Sequence, residues 1–183
     1  RRGKPTVHIK FNEANALLGG ASLLVFSYQL LASKKFKVSD NIKNILIEDF
    51  SNAIGAEGML AGQFLDLEAE DEKFNLTLKK FRKIQEMKTS LLIALCARTG
   101  GILGGSTKRE EELLFDFGII LGRMFQIRDD ILDQEGNEIQ MGKKINKDQI
   151  LNKATIIRLK GINYAKKELL ALASDAKNKL NSF

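Results

Sequence analysis

Gly118-Ile119-Ile120-Leu121-Gly122-Arg123-Met124-Phe125-Gln126-Ile127-Arg128-Asp129-Asp130-Ile131-Leu132-Asp133 reads as an apolar helix that ends in three carboxylates. At about 3.6 residues per turn, Asp129 and Asp133 share a face and Asp130 sits about 100° round from Asp129. Gly118, Gly122 and Gln126 lead to the carboxylates as a stripe of small and polar residues, while Leu121, Phe125 and Leu132 fall on a broad apolar side. Like charges one turn apart cost a few tenths of a kcal/mol, roughly, when exposed, and more when desolvated. Divalent cations remove that cost, and the Asp-Asp-x-x-Asp spacing offers hard oxygen ligands. Magnesium typically takes one or two carboxylates and completes its octahedron with water and phosphate oxygens. The stretch therefore predicts a Mg²⁺-diphosphate site at the end of a helix. A solvated last turn accounts for the same spacing, although anions are disfavoured near a helix C-terminus.

Outward from this stretch, helical spacing recurs and strand-like alternation is nowhere sustained, which predicts an all-α bundle of helices packed on helices. Apolar residues follow that spacing from Ala14 to Ala32, with Asn12 or Asn15 as candidate cap. They do so again over Asn41 to Ala69, Leu76 to Gly101 and Glu110 to Leu132, and in one or two shorter helices between Asn152 and Ser182. A polar loop is expected over Gln134 to Gln149. With 183 residues, no repeat and no linker, residues 1–183 form a single helical domain.

Composition narrows the function. The formal charge is +6, with 44% apolar residues, one proline and no tryptophan. Its lysines are dispersed and its aromatics few, which excludes a stacking platform for nucleic acid and favours a small phosphorylated ligand. A single cysteine, Cys96, excludes an internal disulfide framework; lying in an apolar run, it reads as a small core hydrophobe. No signal peptide and no uninterrupted run of 18 apolar residues is evident, so the expected setting is the cytoplasm, without stable membrane insertion. With His8 the only histidine, no histidine-based nucleophile or metal site can be assembled, and neither a Walker loop nor a dinucleotide fingerprint is present.

Three further constellations suit a diphosphate. Gln63 and Asp66 share a helix face beside Gly62, where small residues let another helix or a ligand come close, and a buried Asp66 would need a partner. Lys88-Thr89 precedes the apolar run from Ser90 to Ala97, and on an inner face the lysine would act as a point charge for a phosphate oxygen. Lys143, Lys144, Lys147, Lys153, Arg158 and Lys160 outnumber the three acids between Gln134 and Lys160, so this segment could fold back over a metal-bound diphosphate. At the other end Arg1, Arg2 and Lys4 surround a glycine-proline turn, and the arginine fork matches phosphate oxygens. Each constellation also reads as solvated surface charge when taken alone.

Together, in order and at these intervals, they resemble the trans-isoprenyl diphosphate synthases of the polyprenyl synthetase family, most nearly the bacterial farnesyl type. Phe125 to Asp133 with Gly136 is similar to the family's second aspartate-rich motif. Arg1-Arg2-Gly3-Lys4-Pro5-Thr6 is similar to the segment after the first such motif, and Gly62-Gln63-Phe64-Leu65-Asp66 and Lys88-Thr89 are similar to two more. The resemblance implies the isoprenoid synthase helical bundle, usually a homodimer, here incomplete at the N-terminus and corresponding to the C-terminal two-thirds of the domain. It implies a magnesium-dependent transferase of isoprenoid biosynthesis that condenses isopentenyl diphosphate with an allylic diphosphate such as dimethylallyl or geranyl diphosphate. The product is a short-chain isoprenyl diphosphate, farnesyl diphosphate by closest likeness.

By the same resemblance Asp129, Asp133 and Asp130 meet the metal. Arg2 and Arg1 meet diphosphate near the isopentenyl site, Lys88, Lys143 and Lys153 grip the leaving diphosphate, and Gln126 and Thr89 line the reacting carbons. Gln63 and Asp66 support Lys88 and the metal shell. Departures from the family pattern are Gly20 in place of aspartate, Asn146 in place of glycine, and Ile156-Ile157 in place of a tyrosine-proline pair. The first aspartate-rich motif is expected before Arg1, outside this sequence. A bundle lacking those preceding helices should expose apolar faces. The competing expectation is a non-catalytic helical partner subunit of a synthase.

Overall fold

The computed structural model describes residues 3–71, 73–135 and 154–182, and among them there are helices and no strands. In chain order they are α1 (Val7–Lys10), α2 (Glu13–Ala32), α3 (Asp40–Ile54), α4 (Met59–Glu68), α5 (Leu78–Gln85), a π-helical turn (Glu86–Ser90), α6 (Leu91–Gly104), α7 (Lys108–Glu135), α8 (Ile156–Lys160) and α9 (Ile162–Asn181). Side-chain caps set several starts: Asn12, Ser39, Thr77 and Thr155 each accept the backbone N–H three residues on, which satisfies one orphan donor of the first turn.

The 28-residue α7 is the central element, packed along α6 on one side and along α9 on another. Its glycines make the first contact possible. A Cβ at Gly118 would lie 2.3 Å from Ala94 Cα, so the two helix backbones meet with nothing between them. Ala165, Leu172 and Ala176 form the buried stripe of α9, at helical spacing. Phe81, Ile84, Ile127, Ile131, Ile156 and Leu172 fill the main core, between α5, α7, α8 and α9.

Two expected helices are divided. The pattern from Asn41 to Ala69 is not one helix but α3 and α4, separated at Gly55–Gly58. The chain doubles back there so tightly that a Cβ at Gly58 would sit 2.2 Å from the Ala53 carbonyl oxygen. Hydrophobic spacing continues across the break, yet α3 packs on α2 and α6 while α4 packs on α5 and the π turn. The pattern from Leu76 to Gly101 is helical from Leu78 onward, but the π-helical turn interrupts it at Glu86–Ser90. Cys96 is exposed, not in the core. Ala94 and Leu95 take the buried side of α6, and Cys96 lies a further 100° or so round it.

α2 carries no buried residue, and Leu17, Leu18, Leu23, Val25, Phe26 and Leu30 are all more than half exposed. One side of it is anchored: Tyr28 packs edge-on to Phe50 of α3 and donates its hydroxyl to Ser51 Oγ at 3.1 Å. By length and composition alone α2 is also apolar enough to cross a membrane.

A capping box opens α7. Thr107 Oγ1 accepts the Glu110 N–H at 3.3 Å and Glu110 Oε2 accepts the Thr107 N–H at 2.7 Å. The Thr107 N–H first, and its hydroxyl second, hold the Glu110 carboxyl below its usual value of 4.5. A depressed folded-state value means that this contribution is complete above the unfolded value and disappears as pH falls through the folded one. Thr107→Ala is expected to cost about 1 kcal/mol at neutral pH. Glu110→Gln should remove its part of the acid-limb destabilisation, both read by urea unfolding across a pH series.

Candidate functional site: a carboxylate and lysine rim at the end of the central helix

α4, the π turn and α7 bring four of the expected residues into two contacting pairs. Lys88 Nζ donates to Asp66 Oδ2 in a tight ion pair. Beside it, Gln126 Nε2 donates to Thr89 Oγ1 at 3.1 Å. Asp66 is buried, its side chain 10% exposed against 28% for Lys88. The carboxylate thus sits in the helix contact and the ammonium at its edge. An ammonium has three donors, so the pair leaves Lys88 able to meet an anion.

The π turn sets this geometry. Its i→i+5 bonding widens one turn and alters the direction of the side chains that follow, a distortion that concentrates at functional sites. Lys88 and Thr89 both lie inside it. Gln126 reaches Thr89 across the contact of α7 with the π turn. Asp129 follows Gln126 by three residues, on the same side of α7.

None of the three terminal carboxylates points freely into water: Asp130 and Asp133 are buried and Asp129 is half-buried. Asp130, expected to assist the metal, also makes a structural contact. Its Oδ2 accepts the Ile156 N–H at 3.1 Å and so ties the start of α8 to α7. Its place about 100° round from Asp129 turns it toward that chain segment. Among the described residues no three metal-ligating side chains converge. Asp129 and Asp133 nevertheless fit magnesium, which needs only one or two carboxylates when phosphate and water supply the rest.

Gln63, expected to support Lys88, is exposed, and no hydrogen bond is found for it among the described residues. Its neighbour Gly62 faces the π turn instead, which turns Gln63 about 100° away. Arg1, Arg2, Lys143 and Lys153 lie outside the described residues. Sequence reading also missed a strut behind Gln126. Glu168 Oε1 of α9 accepts Arg82 Nη2 at 3.0 Å and Arg123 Nη2 at 3.2 Å, which links α5, α7 and α9. Its members lie 45 and 86 residues apart, so no local spacing announces them.

Among the described residues the fold is an all-helical bundle whose candidate site gathers an aspartate, a lysine, a threonine and a glutamine. A family profile described as Polyprenyl synthetase matches residues 1–182, and the chain belongs to that family. It is 41% identical over 170 residues to farnesyl diphosphate synthase of Geobacillus stearothermophilus, covering 92% of this chain and 57% of that protein. It is 36% identical over 182 residues to farnesyl diphosphate synthase of Escherichia coli K12, covering 98% and 60% respectively. Among solved structures, geranyltransferase from Helicobacter pylori complexed with magnesium and isoprenyl diphosphate superposes with a TM-score of 0.87 at 31% identity. That match covers 100% of this chain and 58% of the other. The chain thus spans about three-fifths of the length of these relatives.

Removing one partner of a desolvated ion pair costs more than removing both. Lys88→Met is therefore expected to destabilise the chain by about 3 kcal/mol. The double variant Lys88→Met/Asp66→Asn should recover part of that loss, measured by chemical denaturation.

Proposed function

We propose that the protein is a Mg²⁺-dependent prenyltransferase that condenses isopentenyl diphosphate with an allylic diphosphate, dimethylallyl or geranyl, and releases diphosphate. The product by this reading is a short-chain isoprenyl diphosphate, farnesyl diphosphate by the relatives' names. The observation that carries it is the adjacency of the Asp66–Lys88 and Thr89–Gln126 pairs beside the helix that ends in Asp129 and Asp133. A relative crystallised with magnesium and isoprenyl diphosphate supports the choice of ligand.

Magnesium, when bound, supplies positive charge that stabilises a departing diphosphate. Asp129 and Asp133 are the residues to hold it. Asp130 secures the chain behind them. Lys88 donates to the leaving oxygens while Asp66 accepts from the same ammonium and holds it in place, and that favours the state in which negative charge has accumulated. Thr89 and Gln126 are neutral and face each other, so their oxygen dipoles can stabilise a developing allylic cation without a covalent bond. Arg1, Arg2, Lys143 and Lys153 are proposed as further diphosphate ligands. The open apolar side of α2 supports association with a second copy, and a cytoplasmic enzyme handling charged diphosphates fits the overall charge of +6.

In the full-length protein, Mg²⁺-dependent conversion of radiolabelled isopentenyl diphosphate and geranyl diphosphate is the expected activity. Asp129→Ala and Lys88→Ala should each lower kcat by roughly 10²-fold or more. A wild-type protein that neither elongates the allylic substrate nor responds to Mg²⁺ would refute the assignment. Light scattering should give twice the monomer mass.

A further inference from the structure

The π turn is held from two opposite helices by contacts that only glycine permits. A Cβ at Gly62 of α4 would meet Lys88 N at 2.3 Å, Met87 C at 2.7 Å and Lys88 Cα at 2.8 Å. A Cβ at Gly122 of α7 would meet Ser90 Cα at 2.5 Å, Oγ at 2.6 Å and Cβ at 2.7 Å. Gly62 presses on backbone atoms alone, so no rotamer change can relieve a side chain there. Ser90 between α7 and the turn is fully buried, with no room to yield.

Between the two contact points stand Lys88 and Thr89. A turn with i→i+5 bonds is intrinsically less favourable than the α-helix on either side and persists where its surroundings hold it. Asp66 lies one turn beyond Gly62 on α4, and Gln126 one turn beyond Gly122 on α7. Each helix therefore delivers first a glycine that sets the distance to the turn, and then the side chain that pairs across it. We propose that Gly62 and Gly122 are positioning residues: they pinch the π turn between α4 and α7, and thereby fix where Lys88 Nζ and Thr89 Oγ1 stand relative to the reacting diphosphate.

This rests on the prenyl-transfer reading. A methyl group at either glycine must push the turn by about 1 Å, from 2.3 or 2.5 Å out to ordinary contact near 3.4 Å. Misplacement on that scale costs a reaction about 10²-fold. Gly118 provides the control, since a Cβ there would lie equally close, 2.3 Å, to Ala94 Cα in α6. Ala94 lies one turn past Ser90, outside the π turn.

The test compares Gly62→Ala, Gly122→Ala and Gly118→Ala in the full-length protein, with kcat and KM taken per folded molecule and stability followed by thermal denaturation. All three are expected to melt earlier. Gly62→Ala and Gly122→Ala should also lose about 10²-fold in kcat with KM changed only a few-fold, the mark of an interaction lost at the transition state. Gly118→Ala should retain wild-type kcat. Adding Ser90→Gly to Gly122→Ala removes two of the three close contacts and should restore part of the turnover; it also carries the test if the single variant does not fold. Equal kinetic loss in all three, or none in the first two, overturns the pinch. Failure of the unsubstituted protein to turn over at all overturns instead the function on which it rests.

Discussion

Burying a carboxylate in a helix contact commits the rest of the chain to supplying a cation opposite it, and the Asp66–Lys88 pair is that commitment here. α4 must approach the π turn closely enough for the pair to close, which requires Gly62 at the contact. Once Lys88 is fixed, Thr89 is fixed beside it. Gln126 of α7 then meets Thr89, and Asp129 and Asp133 follow on the same side of α7 as Gln126. A single desolvated charge thus orders three elements that are remote in sequence.

The same economy appears behind the site. Glu168 accepts from two arginines of different helices, and Asp130 caps the start of α8 through Ile156 N–H. Both carboxylates tie one element to another. Of the acidic triplet, Asp130 thereby ties α8 to α7, and Asp129 and Asp133 are the pair proposed for a hard cation. An array of like charges need not act as one ligand set, because adjacent helical positions point about 100° apart.

α2 stands apart from this organisation. Its length of 20 residues and its apolar character are those of a core helix, yet none of it is buried, and Tyr28 supplies its side-chain hydrogen bond to α3. An apolar surface of that extent suits the association with a second copy proposed above. The main core lies among α5, α7, α8 and α9 and takes no residue from α2.

Much of this was legible in the sequence because it depends on local spacing. Helical period, the Asn12 cap as one of two candidates and the side-sharing of Gln126 with Asp129 all follow from residues within about one turn of one another. So does the order of the motifs that resemble the polyprenyl synthetases. Tertiary contact alone decided the rest. It turned Cys96 outward and Gln63 away from Lys88, tied Asp130 to Ile156, and opened a π turn in a stretch with no glycine or proline to mark it. The physical reason is common to all: a sequence states which faces are apolar and which side chains carry charge, but how closely two backbones approach depends on residues dozens of positions apart, and that distance determines which of several suitable groups meet.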